Sequence, residues 1–125
     1  MVRHRKHWLW WAPRLLAAAF LGFLALFSLD VIAPEATAGE IALGLLLHNI
    51  PVLVLLGMLV VAWRLDAVGA AAFAAAGSFY VIMVVGRAGV PWYTALSWSA
   101  IIAGPAFVIA GLFWLNWQRN RPRRR

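Results

Sequence analysis

The sequence predicts an all-α protein, a bundle of four transmembrane helices, and two observations carry that prediction. Four apolar stretches, about 15–33, 41–63, 67–86 and 95–117, are each long enough for a bilayer core of about 30 Å, which takes roughly 20 apolar residues. The charge is also segregated: most of the net +7 sits in two ends, Arg3 to Arg14 and Arg119 to Arg125. A soluble domain of 125 residues needs a polar exterior. With 65% hydrophobic residues, four acidic side chains and eleven Lys plus Arg, this chain cannot build one. The length fits one domain. The absence of cysteine excludes disulfides and thiol–disulfide chemistry and assigns no compartment.

Residues 1–14 read as a basic and aromatic cytoplasmic arm. Trp8, Trp10 and Trp11 suit the headgroup layer, where amphipathic rings settle. The first span follows from Leu15, carries Asp30 near its far end, and stops at Pro34 because proline disfavours helix continuation. Pro34 to Glu40 forms a short acidic loop. The second span, Ile41 to Trp63, is uncharged, yet it holds His48, Asn49 and Pro51. Arg64-Leu65-Asp66 reads as a tight turn. The third span, Ala67 to Gly86, is dominated by Ala and Gly, which let neighbouring backbones approach closely. Arg87 to Thr94 is a loop with Gly89 and Pro91. The fourth span, Ala95 to Trp117, is interrupted by Gly104-Pro105, and residues 118–125 form a basic cytoplasmic tail.

Orientation follows from the basic residues. With both ends inside, ten of the eleven lie on the inner side and only Arg87 lies outside. Lys/Arg asymmetry of this kind places N- and C-termini in the cytoplasm of a multi-pass inner-membrane protein. Trp63, Trp114 and Trp117 then mark the inner face, and Trp92, Tyr93 and Trp98 the outer one. A competing reading takes the first forty residues as a secretory signal cleaved after Ala36-Thr37-Ala38. The long apolar run, with Asp30 and Pro34 before the cut, weighs against it. The expected partners are the bilayer, anionic lipid at the basic ends, and a second copy or another membrane chain. Nucleic acid is not expected, because no aromatic and basic binding fold presents the charges.

The chain also reads as two parallel helical hairpins in repeat. Pro51 aligns with Pro105, Gly57 with Gly111 and Trp63 with Trp117, at an offset of 54. Ala17 to Phe20 aligns with Ala70 to Phe73, and Phe27 with Tyr80, at an offset of 53. Repeats of this type are related by an axis along the membrane normal.

The candidate site is a polar cluster within the membrane: Asp30, His48, Asn49, Tyr80 and Ser99. Gly44, His48, Pro51 and Leu55 share a helical face by their spacing. Pro51 frees the Leu47 carbonyl, and Pro51 and Pro105 are the expected helix kinks. At 1.5 Å per residue, His48, Tyr80, Ser99 and Asp30 all fall about 5–10 Å below the outer helix ends. The expectation is that His48 faces the bundle and bonds to Tyr80, Asp30 or a freed carbonyl as interhelical glue. The alternative is a substrate, ion or proton site, since ionisable groups inside membranes are often functional. Asp30 is expected to reach water or pair with Arg87. Gly77-Ser78 with His48 lacks a nucleophile motif for a hydrolase. His4 and His7, spaced like metal ligands, lie in an arm that repels cations. No catalytic residue, metal or cofactor is therefore expected.

Leu29-Asp30-Val31, His48 to Pro51, Ala62-Trp63-Arg64, Gly104-Pro105 and Leu115-Asn116-Trp117 resemble a family of small bacterial and archaeal four-helix membrane proteins of unknown function. The resemblance covers roughly residues 8–118, implies the four-helix architecture, and brings no activity. Small multidrug exporters carry a mid-membrane glutamate in their first helix, and membrane thiol oxidoreductases need cysteines; this chain has neither. The functional reading is a non-enzymatic membrane protein acting through helix packing with itself or a partner. The alternative is a small transporter or permease subunit with its polar site around His48.

Overall fold

A computed structural model describes residues 7–122. Among them the elements are α1 (His7–Leu26), a 3-10 turn (Phe27–Val31), α2 (Ala38–Ala62), α3 (Asp66–Val85) and α4 (Trp92–Asn120). All four α-helices are long and apolar enough to cross a membrane. Residues 1–6 of the predicted arm and 123–125 of the predicted tail lie outside the described residues.

Local chemistry sets the helix ends. Thr37 caps α2 in a capping box: its hydroxyl accepts from the Glu40 N–H at 3.3 Å, and the Glu40 carboxylate accepts from the Thr37 N–H at 2.8 Å. Pro91 stands at the N-cap of α4, where a missing N–H costs no helical bond. Gly89, at φ +84°, makes the left-handed bend before it that a side chain would strain.

The helix ends differ by several residues from the span limits read in the sequence, and two of the differences bear on the packing. The first helix begins at His7 instead of near Leu15, so Arg14 lies inside α1. Its charge is matched by a partner from another helix, which removes the need to keep it in a solvated arm. Asp66 is the first residue of α3 and not part of a turn. A carboxylate there faces the positive end of the helix dipole.

Each helix packs on its neighbour in sequence, and α1 closes the ring against α4. The α3–α4 pair packs along far more of its length than the others. The small side chains of α3 account for this. At Gly69 an added Cβ would lie 2.8 Å from the Phe113 ring and 2.9 Å from the Ala62 Cβ. The core centres on Ala17, Phe20, Leu59, Phe73, Ile109 and Phe113. The Phe73 and Phe113 rings stack at 6.2 Å. By contrast, α2 buries only Leu55, Leu59 and Ala62, all in its last third.

Part of the burial pattern matches the predicted repeat, although buried Ala110 falls on exposed Leu56 and buried Gly69 on exposed Leu16. At an offset of 54, buried Leu55, Leu59 and Ala62 fall on buried Ile109, Phe113 and Asn116. At 53, buried Ala17 and Phe20 fall on buried Ala70 and Phe73. Phe20 and Phe73 meet across the ring at 6.5 Å. The two hairpins differ in tightness, since α1 and α2 touch far less than α3 and α4.

Candidate functional site

The most elaborate polar arrangement lies at the end of the bundle where α1 begins and α4 ends. There the start of α1, the end of α2, the start of α3 and the end of α4 converge. Arg14 is 1% exposed. Its guanidinium donates to the Trp10 carbonyl at 2.6 Å, to the carbonyls of Ala62 and Trp63 at 3.3 and 3.1 Å, and to Asp66 Oδ1 at 2.8 Å. The other carboxylate oxygen of Asp66 accepts from Asn116 Nδ2 at 2.7 Å. One knot therefore joins all four helices.

The knot forms because each group answers a local need. Carbonyls in the last turn of α2 have no partner within their own helix, and a cation is favoured at that helix end. Asp66 starts α3, where an anion is favoured for the same reason. The Trp10 ring lies 4.1 Å from the guanidinium carbon, a cation–π contact. For the Arg14–Asp66 ion pair, two unit charges about 4 Å apart at an effective dielectric constant of about 20 attract by about 4 kcal/mol, and desolvation of both groups offsets much of that. With both oxygens of Asp66 engaged, the knot holds the helices together. Arg14 Nε is buried without a partner.

Aromatic rings surround this end. Trp10, Trp11 and Trp63 form edge-on pairs with centroids 4.9–6.4 Å apart. Trp114 and Trp117 are 5.0 Å apart, and the Arg121 guanidinium lies 3.4 Å over the Trp117 ring.

The five polar residues singled out in the sequence are not joined: among the described residues no hydrogen bond links any two of them. Asp30 lies exposed in the 3-10 turn, and it makes no ion pair with Arg87; Arg14 with Asp66 is the ion pair found among the described residues. Asn49 donates to its own helix, at the Leu45 carbonyl, 2.8 Å. Tyr80 is half-buried in α3. The hydroxyl of Ser99 is buried without a partner. His48 lies seven residues before buried Leu55, on the stripe of α2 that turns inward, yet it is exposed and makes none of the expected bonds. The fully buried residues of α2 begin only at Leu55, and before it Val52 is partly buried against the core while His48 stays exposed. Pro51 and Pro105 both lie inside continuous helices.

Arg14, Asp66 and Asn116 were missed. One signal could have pointed to them: Asp66 is the single acidic residue on the side to which the sequence reading assigns ten basic ones.

No curated protein and no solved structure was found to match the chain. A family described as a domain of unknown function, DUF7670, matches residues 1–125, a span that takes in the basic tail which the sequence resemblance left out. Four apolar helices tied at one end are thus the structural form of a member of this family, and the chain belongs to DUF7670.

Proposed function

We propose that this is a multi-pass inner-membrane protein with both termini in the cytoplasm, that it is not an enzyme, and that it acts by helix packing with a second copy or another membrane chain. The surface supports the membrane setting. Leu43, Leu53, Phe79, Ile82 and Val85 are each more than half exposed, a display that soluble monomers rarely make. The basic ends supply the orientation and attract anionic lipid.

The observation that carries the packing role is His48. An imidazole sits on the inward stripe of α2 at a level that the chain's own helices leave uncovered. Hydrocarbon offers it no hydrogen-bond partner. A helix from another chain would supply both the cover and the partner. Two copies packed there would keep their basic ends apart from the contact. Arg64 is about 24 Å along the helix from His48 at 1.5 Å per residue, beyond a Debye length of about 10 Å.

The chain has no cysteine, so single introduced thiols report cleanly. Gly44→Cys lies on the His48 stripe, and Leu46→Cys and Leu53→Cys lie on the opposite face. In native membranes, oxidation or a short thiol crosslinker is expected to join Gly44→Cys to a protein neighbour and to leave the two controls monomeric. Equal labelling of all three would remove the support for packing through α2. Solute uptake lost on His48→Leu, with no crosslink at Gly44→Cys, would favour the transporter reading.

A further inference from the structure

We propose that the groove between the first half of α3 and the last turns of α4 binds one anionic phospholipid, the acyl chain lying in the groove and the phosphate at its basic mouth. This rests on the membrane reading above and names a specific lipid partner for it.

The groove encloses about 400 Å³, and every residue lining it is apolar. Ala67, Ala70, Ala71 and Ala74 form one side, and Gly111, Trp114 and Trp117 the other. From Ala67 to Ala74 it runs about 10 Å at 1.5 Å per residue. The small side chains leave room for a methylene chain, and the two indoles wall it.

The mouth is cationic. Trp117 lines the groove, and the Arg121 guanidinium lies 3.4 Å above its ring. Exposed Arg119 lies on the same last turn of α4. Exposed Arg64 stands in the connection three residues before Ala67. The neighbouring carboxylate, Asp66, is already engaged by Arg14 and Asn116, so it does not cancel this charge. An apolar channel ending in cations matches an amphiphile with an anionic head. A second copy seated in the same groove would bring two cationic ends side by side, a like-charge cost that a lipid phosphate turns into attraction.

The test uses the full chain in vesicles of phosphatidylcholine or of phosphatidylcholine with phosphatidylglycerol, each with brominated acyl chains that quench tryptophan on contact. Wild type is expected to show an apparent affinity for brominated phosphatidylglycerol about fivefold above that for the choline lipid, equivalent to about 1 kcal/mol. Gly111→Leu projects into the groove from a position where an added Cβ meets nothing within 4 Å, and it keeps every charge. It is expected to abolish the preference while circular dichroism stays unchanged. Ala71→Leu, on the opposite wall, gives a second filled groove, and Arg121→Gln is expected to weaken the preference with the groove intact.

A preference that survives both filled-groove variants would reflect general attraction to the basic ends and overturn the proposal. So would equal quenching by the two lipids in wild type. A dimer in phosphatidylcholine alone that Gly111→Leu dissolves, with no lipid preference, would give the groove to a second copy. No quenching by either lipid would refute the membrane reading itself, and the lipid site with it.

Discussion

The guanidinium of Arg14 and the carboxylate of Asp66 are 52 positions apart in the chain and 2.8 Å apart in space. Arg14 is 1% exposed and the Asp66 side chain 12%. Removing one partner strands the other, and removing Arg14 also orphans two carbonyls of α2. Arg14→Met is therefore expected to destabilise the fold by about 3 kcal/mol or more, whereas Arg14→Met with Asp66→Leu recovers a substantial part of that loss. Reversible unfolding of the single and double variants in detergent or bicelles measures both. A double variant as unstable as the sum of the singles would show that the two residues act independently.

Asn116 makes one bond to the same carboxylate, at 2.7 Å. Asn116→Leu should cost about 1 kcal/mol, within the range measured for hydrogen bonds in membrane proteins. The same unfolding assay should rank it well below Arg14→Met, and the reverse order would show that Asn116 holds the knot.

Gly69 and Gly57 should respond oppositely to alanine. At Gly69 the new methyl would press on the Phe113 ring and the Ala62 Cβ at 2.8–2.9 Å. Such overpacking costs about 1–3 kcal/mol. At Gly57 nothing lies within 4 Å, and the better helix former is expected to be neutral or to gain up to about 1 kcal/mol. Thermal unfolding of the two variants makes the comparison. Equal responses would mean that α3 and α4 do not approach as closely as described.

Reporter fusions after Glu40, Asp66, Trp92 and Arg125 should read out, in, out, in. An inside signal after Glu40 would overturn the proposed topology, and a mature protein starting at Gly39 would show cleavage of the first span.

His48 makes no hydrogen bond among the described residues. His48→Leu should thus leave the stability of the isolated monomer within about 0.5 kcal/mol of wild type, the ordinary range for exposed sites. In membranes the same substitution should lower crosslinking at Gly44→Cys. A large loss of monomer stability would place the ring inside the bundle after all.

The four helices were legible because length and hydropathy are local properties. The matched burial of Leu59 with Phe113 and of Phe20 with Phe73 was legible as well, since repeated spacing brings repeated faces inward. The knot was not. A hydropathy reading treats Arg14 as a solvated topology signal, and its burial depends on four helix ends meeting at one place. For His48 the helical face followed from its spacing with Gly44 and Leu55. Its exposure depends on where along its length α2 meets the other helices, which no spacing within α2 encodes.

The separation of Arg14 from its acidic partner also orders assembly in time. Synthesis makes Arg14 before the end of α2 and before Asp66, so the cation precedes every partner it takes from another helix. In the membrane setting proposed above, a headgroup layer is where an unpaired guanidinium would wait. One side chain would then serve first as an anchor and afterwards as a latch, and the knot cannot close until α3 has begun.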